Sequence, residues 1–144
     1  MADAILLVED NPDDVLFLTR ALGKAGVGNS LHVVEDGQQA IDYLEGKGQY
    51  TDRSIHPLPL LVLLDLKLPY VPGLEVLRWL RDQPALSKII VVVLTSSDHP
   101  ADVKKAYALG ANSFLSKPSN PDDLPELVRL VVDYWLRSNV PDRK

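Results

Sequence analysis

Six consecutive residues, Ile89 to Leu94, are apolar at every position, and Leu60 to Leu64 repeats the pattern. A strand with one wet face alternates apolar and polar side chains, so unbroken runs of this kind belong to strands covered on both faces. That points to a parallel sheet between two helical layers. Three further short runs, Ala4 to Val8, Leu31 to Val34 and Ser113 to Leu115, complete a set of five strands.

Amphipathic segments with recognisable ends lie between the runs. Asn11 can cap a first helix, Pro12 suits its first turn, Asp13 and Asp14 complement its positive end, and Gly26 can close it. Asp36 offers a cap for a second helix through Leu44, ended near Gly46, and a third spans Leu74 to Leu80. Asp98 can cap a fourth that stops at Gly110. A fifth begins between Asn120 and Asp123 and runs to about Asn139, before Pro141. Pro125 would remove a donor from a helix begun at Asn120, but would sit in the first turn of one capped by Asp123. Five strand–helix repeats predict a three-layer α/β/α domain with right-handed crossovers. The 144 residues are one domain's worth, and the expectation is a core over about residues 3–139, a short C-terminal tail and no output domain. The loop from Gly46 to Pro59 is long enough to suggest a role or local mobility.

Composition removes several classes of function. A net charge of −5 with acids and bases interleaved leaves no basic stripe for nucleic acid. The absence of cysteine removes disulfides, thiol nucleophiles and cysteine-based zinc sites, and fits a reducing cytoplasm. No uncharged apolar stretch approaches the roughly 20 residues of a membrane helix, and Ile5 to Val8 is too short for a signal peptide. A cytoplasmic protein is therefore expected.

The residues at the end of each apolar run are more specific. Glu9 and Asp10 come after the first, Asp65 after the third, Thr95 after the fourth, and Ser116-Lys117-Pro118 after the fifth. Parallel α/β sheets carry their sites at the carboxyl ends of the strands, so three carboxylates, a hydroxyl and an ammonium converge there. Two carboxylates about 4 Å apart repel by roughly 4 kcal/mol at an effective dielectric near 20. A hard divalent cation relieves this, and an open oxygen set suits Mg²⁺ (or Mn²⁺) better than zinc. Such a cation is the usual partner of a transferring phosphoryl group. Asp65 then reads as a nucleophile that forms an acyl phosphate, with Lys117 and Thr95 holding phosphoryl oxygens. Singly, each of these residues also reads as a helix-end acid, a turn group or a solvated lysine, and only their joint placement favours a site. His32, His56 and His99 are scattered, without metal-ligand spacing, and Lys104-Lys105 is a solvated helix face.

Four ordered segments, ILLVEDNPDD from Ile5, LVLLDLKLP from Leu61, VVVLTSSD from Val91 and ALGANSFLSKP from Ala108, resemble the receiver domains of bacterial response regulators. The resemblance implies the flavodoxin-like receiver fold and assigns roles residue by residue. Asp10 and Asp65 would ligate Mg²⁺, Glu9 would act mainly through water, and the backbone carbonyl of Lys67 would be a further ligand. Thr95 would be the switch hydroxyl, Phe114 the switch aromatic, and Lys117 the phosphate-binding lysine, followed by a cis bond to Pro118. The implied partner is a sensor histidine kinase or phosphotransfer protein, with an unnamed protein downstream. Gly48-Gln49-Tyr50, GANSFLSKP and Tyr134-Trp135 look like the small regulators paired with bacterial and cyanobacterial phytochromes. Against the family pattern, Pro72 precedes Gly73 where an acid is common, and Lys67 lies near the path of hydrolytic water.

On the fifth helix, Leu124, Leu127, Val128, Val131 and Trp135 form a core stripe. Leu130, Val132, Tyr134 and Leu136 widen the apolar arc to about 240° at 100° per residue. That width reads either as extra packing of the tail or as a homodimer or partner surface on the helix 4/strand 5/helix 5 face. Three rivals to the receiver reading differ in kind. An aspartyl phosphatase would need a carboxylate where Lys67 stands. A flavin protein would not place the acidic Glu9 to Asp14 segment at its phosphate loop. A phosphorylation-independent binding module could carry the same site unused.

Overall fold

The structure is a computed structural model that describes residues 4–140 and 142. Pro141, the expected stop after the fifth helix, and residue 3 lie outside the described residues. Strands β1 (Ile5–Val8), β2 (Leu31–Val34), β3 (Leu61–Leu64), β4 (Ile90–Thr95) and β5 (Ser113–Ser116) form one five-stranded sheet in the order β2-β1-β3-β4-β5. Every neighbouring pair is parallel. This is the doubly wound order whose direction reverses between β1 and β3, the place where such sheets carry their sites.

Side-chain alternation divides the strands between two cores. Leu6, Val8, Val62, Leu64, Val91 and Val93 face helices α2 (Gly37–Glu45), α3 (Gly73–Asp82) and α4 (Pro100–Ala108). Ile5, Leu7, Leu61, Leu63, Val92 and Leu94 face α1 (Pro12–Lys24) and α5 (Leu124–Val132). Each such side chain contributes about 1.5–3 kcal/mol by leaving water, so the unbroken apolar runs are explained by burial on both faces.

The expected caps hold at α1 and α2. Asn11 accepts from the amides of Asp13 and Asp14, and Asp36 accepts from Gln39. At α4 the cap is one residue later than expected: the Nδ1 of His99 accepts from Ala101 N at 3.2 Å, with Pro100 in the first turn. The last helix resolves the position of Pro125 by changing pitch. Asn120 caps a short 3-10 turn over Pro121–Asp123, and α5 then starts at Leu124, so Pro125 occupies a first turn that needs no donor from it. Beyond Val132 the chain widens into a π-helical segment over Asp133–Ser138.

The long loop after α2 is fixed in place. Arg53 donates to the carbonyls of Tyr43, Leu44 and His56, closing the loop onto the exposed end of α2. Tyr50 packs tilted and His56 edge-on against the buried ring of Tyr43, whose hydroxyl donates to Pro57 O at 2.9 Å. No helix among the described residues is long and apolar enough to cross a membrane.

Candidate functional site

Glu9, Asp65 and Lys117 each sit one step beyond their strands, held there by one more ladder bond, while Thr95 is the last residue of β4. Glu9 N donates to Val34 O, Asp65 N to Val8 O, and Lys117 N to Thr95 O. The backbone is therefore fixed before any side chain acts. Glu9 and Asp65 are 1% and 6% exposed, Thr95 is fully buried at the end of β4, and Asp10 is open to solvent. The start of α3 abuts Asp65 directly. Gly73 N donates to Leu66 O, and a Cβ on Gly73 would stand 2.2 Å from the carbonyl oxygen of Asp65. Only glycine permits that approach.

The Asp65 carboxylate is gripped from both sides. Its Oδ1 accepts from Thr95 Oγ1 at 2.7 Å and from Lys67 N at 3.2 Å, while its Oδ2 accepts from Lys117 Nζ at 2.9 Å. Lys117 also donates to Glu9 Oε1 and, at 2.9 Å, to Asp14 Oδ2. Burial alone would raise the Asp65 pKa, but hydrogen bonds from Lys117 and then Thr95 outweigh it and hold the carboxyl below its ordinary range. Glu9 goes the other way: its burial outweighs the hydrogen bond from Lys117, and with the Asp65 charge beside it its pKa is pushed up to about 7. Burial disfavours the Lys117 charge, yet bonds to Glu9, Asp14 and Asp65 raise its pKa overall. Lys117 is therefore a fixed cation, and Asp65 keeps its negative charge.

Glu9, Asp10 and Asp65 each offer a carboxylate oxygen within 4.8 Å of the others. Hard oxygen donors with an open side match Mg²⁺ or Mn²⁺, which take few protein ligands and keep water. The five residues expected at the strand ends thus converge. Lys67 lies beside Asp65 through its amide, with its side chain in solvent. Phe114 is half-buried in β5 against the core of α2, α3 and α4. The expected cis bond before Pro118 is not found: no peptide bond among the described residues is cis. A trans bond is the intrinsically favoured form by about 0.5–1 kcal/mol, and with it Lys117 already reaches three carboxylates.

Two contacts at the site and one turn beside it escape a reading of the sequence. Asp14, which there looks like a plain first-turn acid, is bonded to Lys117; its position three residues after the cap Asn11 was the available signal. Tyr107 in α4 accepts from Phe114 N at 3.1 Å through its hydroxyl, a contact that no motif announces. Tyr70, 86% exposed, has a left-handed φ of 67°, and Val71 N closes a three-residue turn onto Pro69 O at 2.8 Å.

The sequence pattern of the response regulator receiver domain matches residues 5–129. The chain belongs to the response regulator receiver family. Among its relatives, the probable methanogenesis regulatory protein FilR2 of Methanothrix harundinacea is 41% identical over 138 residues, 94% of this chain and 84% of FilR2. Response regulator Rcp1 of Synechocystis is 37% identical over 134 residues, 93% of this chain and 89% of Rcp1. A crystal structure of Rcp1 in its Mn²⁺-bound form superposes with a TM-score of 0.88 at 35% identity, over 98% of this chain and 99% of that one. The phosphorylated cyanobacterial phytochrome response regulator RcpA superposes with a TM-score of 0.92 at 34% identity, over 99% and 100%. The sheet and helices are thus those of receiver domains, with the flavodoxin-like fold. Receiver domains are signalling domains of two-component systems, and this one carries the acidic pocket typical of a phosphoacceptor aspartate and a bound divalent cation. A histidine kinase or phosphotransfer protein is the partner that the family implies.

Proposed function

We propose that Asp65 is the phosphoacceptor. One of its carboxylate oxygens attacks the phosphorus of a phosphohistidine on a sensor kinase and forms a new P–O bond. The P–N bond breaks, and its electrons leave with the imidazole of the donor. The observation that carries this is the double grip on Asp65, with Thr95 Oγ1 on one oxygen and Lys117 Nζ on the other. The buried carboxylate is kept ionised and pointed, and the same two donors are in reach of a group attached to it. Mg²⁺ or Mn²⁺ would be held by Asp10 and Asp65, with Glu9 acting through water and the Lys67 carbonyl as a further ligand, and when bound supplies charge that offsets the phosphoryl group. Among this chain's own residues, Lys117 meets the phosphoryl charge directly. The domain in this way promotes its own phosphotransfer.

Thr95 then releases Asp65 Oδ1 for a phosphoryl oxygen, and Phe114 turns into the space it leaves. The α4–β5–α5 face changes as a population shift, to be read by a downstream protein in the cytoplasm. The likeness to the phytochrome response regulator RcpA favours a phytochrome as the kinase. The same face also carries a homodimer reading, because Leu130 and Tyr134 are 53% and 55% exposed on one helical flank.

The test is intact-mass spectrometry after incubation with acetyl phosphate, with and without Mg²⁺, beside Asp65→Asn. A single Mg²⁺-dependent phosphoryl adduct is expected on the wild type and none on the variant. An adduct that persists in Asp65→Asn would refute the assignment.

A further inference from the structure

Lys117 has a partner that neither the cation cluster nor the phosphoacceptor assignment uses. Asp14 occupies the third position of α1, counted from its cap Asn11. An acid there ordinarily reaches back to the amide of the capping residue. Here that amide donates to Glu9 Oε2 at 3.2 Å instead, and Asp14 Oδ2 accepts from Lys117 Nζ at 2.9 Å. The Asp14 side chain is 34% exposed and that of Lys117 11%, so the contact closes the solvent side of the ammonium.

An ammonium has three donors, and in this pocket Glu9, Asp14 and Asp65 accept all three. Phosphorylation of Asp65 disturbs that balance. Its attacking oxygen becomes the bridging oxygen of an acyl phosphate, the negative charge now sits on the phosphoryl group, and one Lys117 donor must follow it. Lysine is a point charge on a flexible four-carbon stem, so its aim during this exchange depends on whatever holds the other donors. Glu9 holds one of them.

We propose that Asp14 is the positioning residue that holds the other, anchoring Lys117 from α1 while its remaining donor passes from the Asp65 carboxylate to the phosphoryl group. The inference rests on Asp65 being the phosphoacceptor. It predicts that an acid at this helix position governs how fast the domain takes up a phosphoryl group, although it touches neither the cation ligands nor the phosphorus.

Two measurements test it. The first is the ¹H–¹⁵N spectrum of the lysine ammonium groups in the wild type, Asp14→Asn and Asp14→Glu. A slowly exchanging Lys117 signal is expected in the wild type, lost in Asp14→Asn and at least partly restored in Asp14→Glu. The second is uptake from acetyl phosphate in the presence of Mg²⁺, followed by intact mass in the wild type, Asp14→Asn, Lys117→Met and the double variant. In acetyl phosphate the P–O bond to acetate breaks as the bond to Asp65 forms. Asp14→Asn should slow uptake roughly three- to tenfold, as expected for loosening one charge-assisted contact, with no further loss once Lys117 is absent. An unchanged Lys117 signal in Asp14→Asn, or the same loss with and without Lys117, would overturn the proposal. Wild-type protein that takes up no phosphoryl group, from acetyl phosphate or from a kinase, would remove the phosphoacceptor assignment and this inference with it. The ammonium spectrum separates the two failures, because it reads the anchoring alone.

Discussion

In the proposed mechanism Thr95 is the residue on which rest and activation meet. Its side chain is fully buried and its hydroxyl donates to Asp65 Oδ1 at 2.7 Å, so the group that stabilises the resting carboxylate is the one that lets go of it in that mechanism. Thr95→Ala should therefore keep the phosphoryl adduct, because Lys117 still grips Oδ2, but should lose the conformational response. The expected result is that phosphorylation moves the backbone amide shifts of α4 and β5 in the wild type and leaves them nearly still in the variant. Equal shifts in both proteins would remove Thr95 from the switch. The variant should also be less stable by about 1.5–3 kcal/mol, the range for a hydrogen bond to a charged group. At this scale the sequence was legible wherever a residue type stood at a strand end. It was not legible for Asp14, whose first-turn position has a sufficient local explanation, nor for His99, whose ring takes a capping role usually filled by Asp or Asn.

Elements meet most tightly where α3 begins. Gly73 is needed for proximity: its φ lies outside the left-handed region, and the carbonyl of Asp65 fills the space a methyl group would take. Gly73→Ala should cost about 1–3 kcal/mol by overpacking, since the obstructing atom is backbone and cannot rotate away. Urea unfolding would measure the loss, and slower phosphoryl uptake should accompany it because Asp65 must shift to make room. A variant as stable as the wild type would mean that α3 can slide. The end of the last helix shows why element boundaries read poorly from sequence. An apolar arc of about 240° on α5 assumes 100° per residue throughout, whereas Asn139 N bonds to Tyr134 O across a wider turn. With that wider pitch Trp135 and Leu136 pack on the α1 side of the sheet and Val132 is fully buried, leaving Leu130 and Tyr134 exposed. Part of the excess was therefore tail packing. The 3-10 start before α5 likewise follows from proline geometry at two positions, Pro121 and Pro125, that no period reveals.

At the scale of the whole molecule, the parallel sheet, the two cores and the location of the site were legible because each follows from the runs buried on both faces and from what ends them, whereas the strand order is carried by no run and came only with the family resemblance. The long loop was not: Arg53 holds it by bonding three carbonyls, and an arginine in a loop carries no mark of such a contact. Association is the remaining property at this scale. If the flank with Leu130 and Tyr134 forms a homodimer, sedimentation equilibrium should give a dimer for the wild type and a monomer for Leu130→Glu combined with Tyr134→Glu. A monomeric wild type, phosphorylated or not, would remove the dimer. The edge strand β5 bears on how any partner can approach. Lys117 N bonds inward to Thr95 O, and by the alternation of a parallel ladder Phe114 N points outward, where the Tyr107 hydroxyl accepts it at 3.1 Å. One outward amide of this edge is thus taken by a side chain of α4, which leaves a foreign strand fewer groups to pair with than a bare edge would. On the proposed signalling face a partner would then find helix side chains more readily than strand backbone, so the message could change while the sheet edge stays as it is.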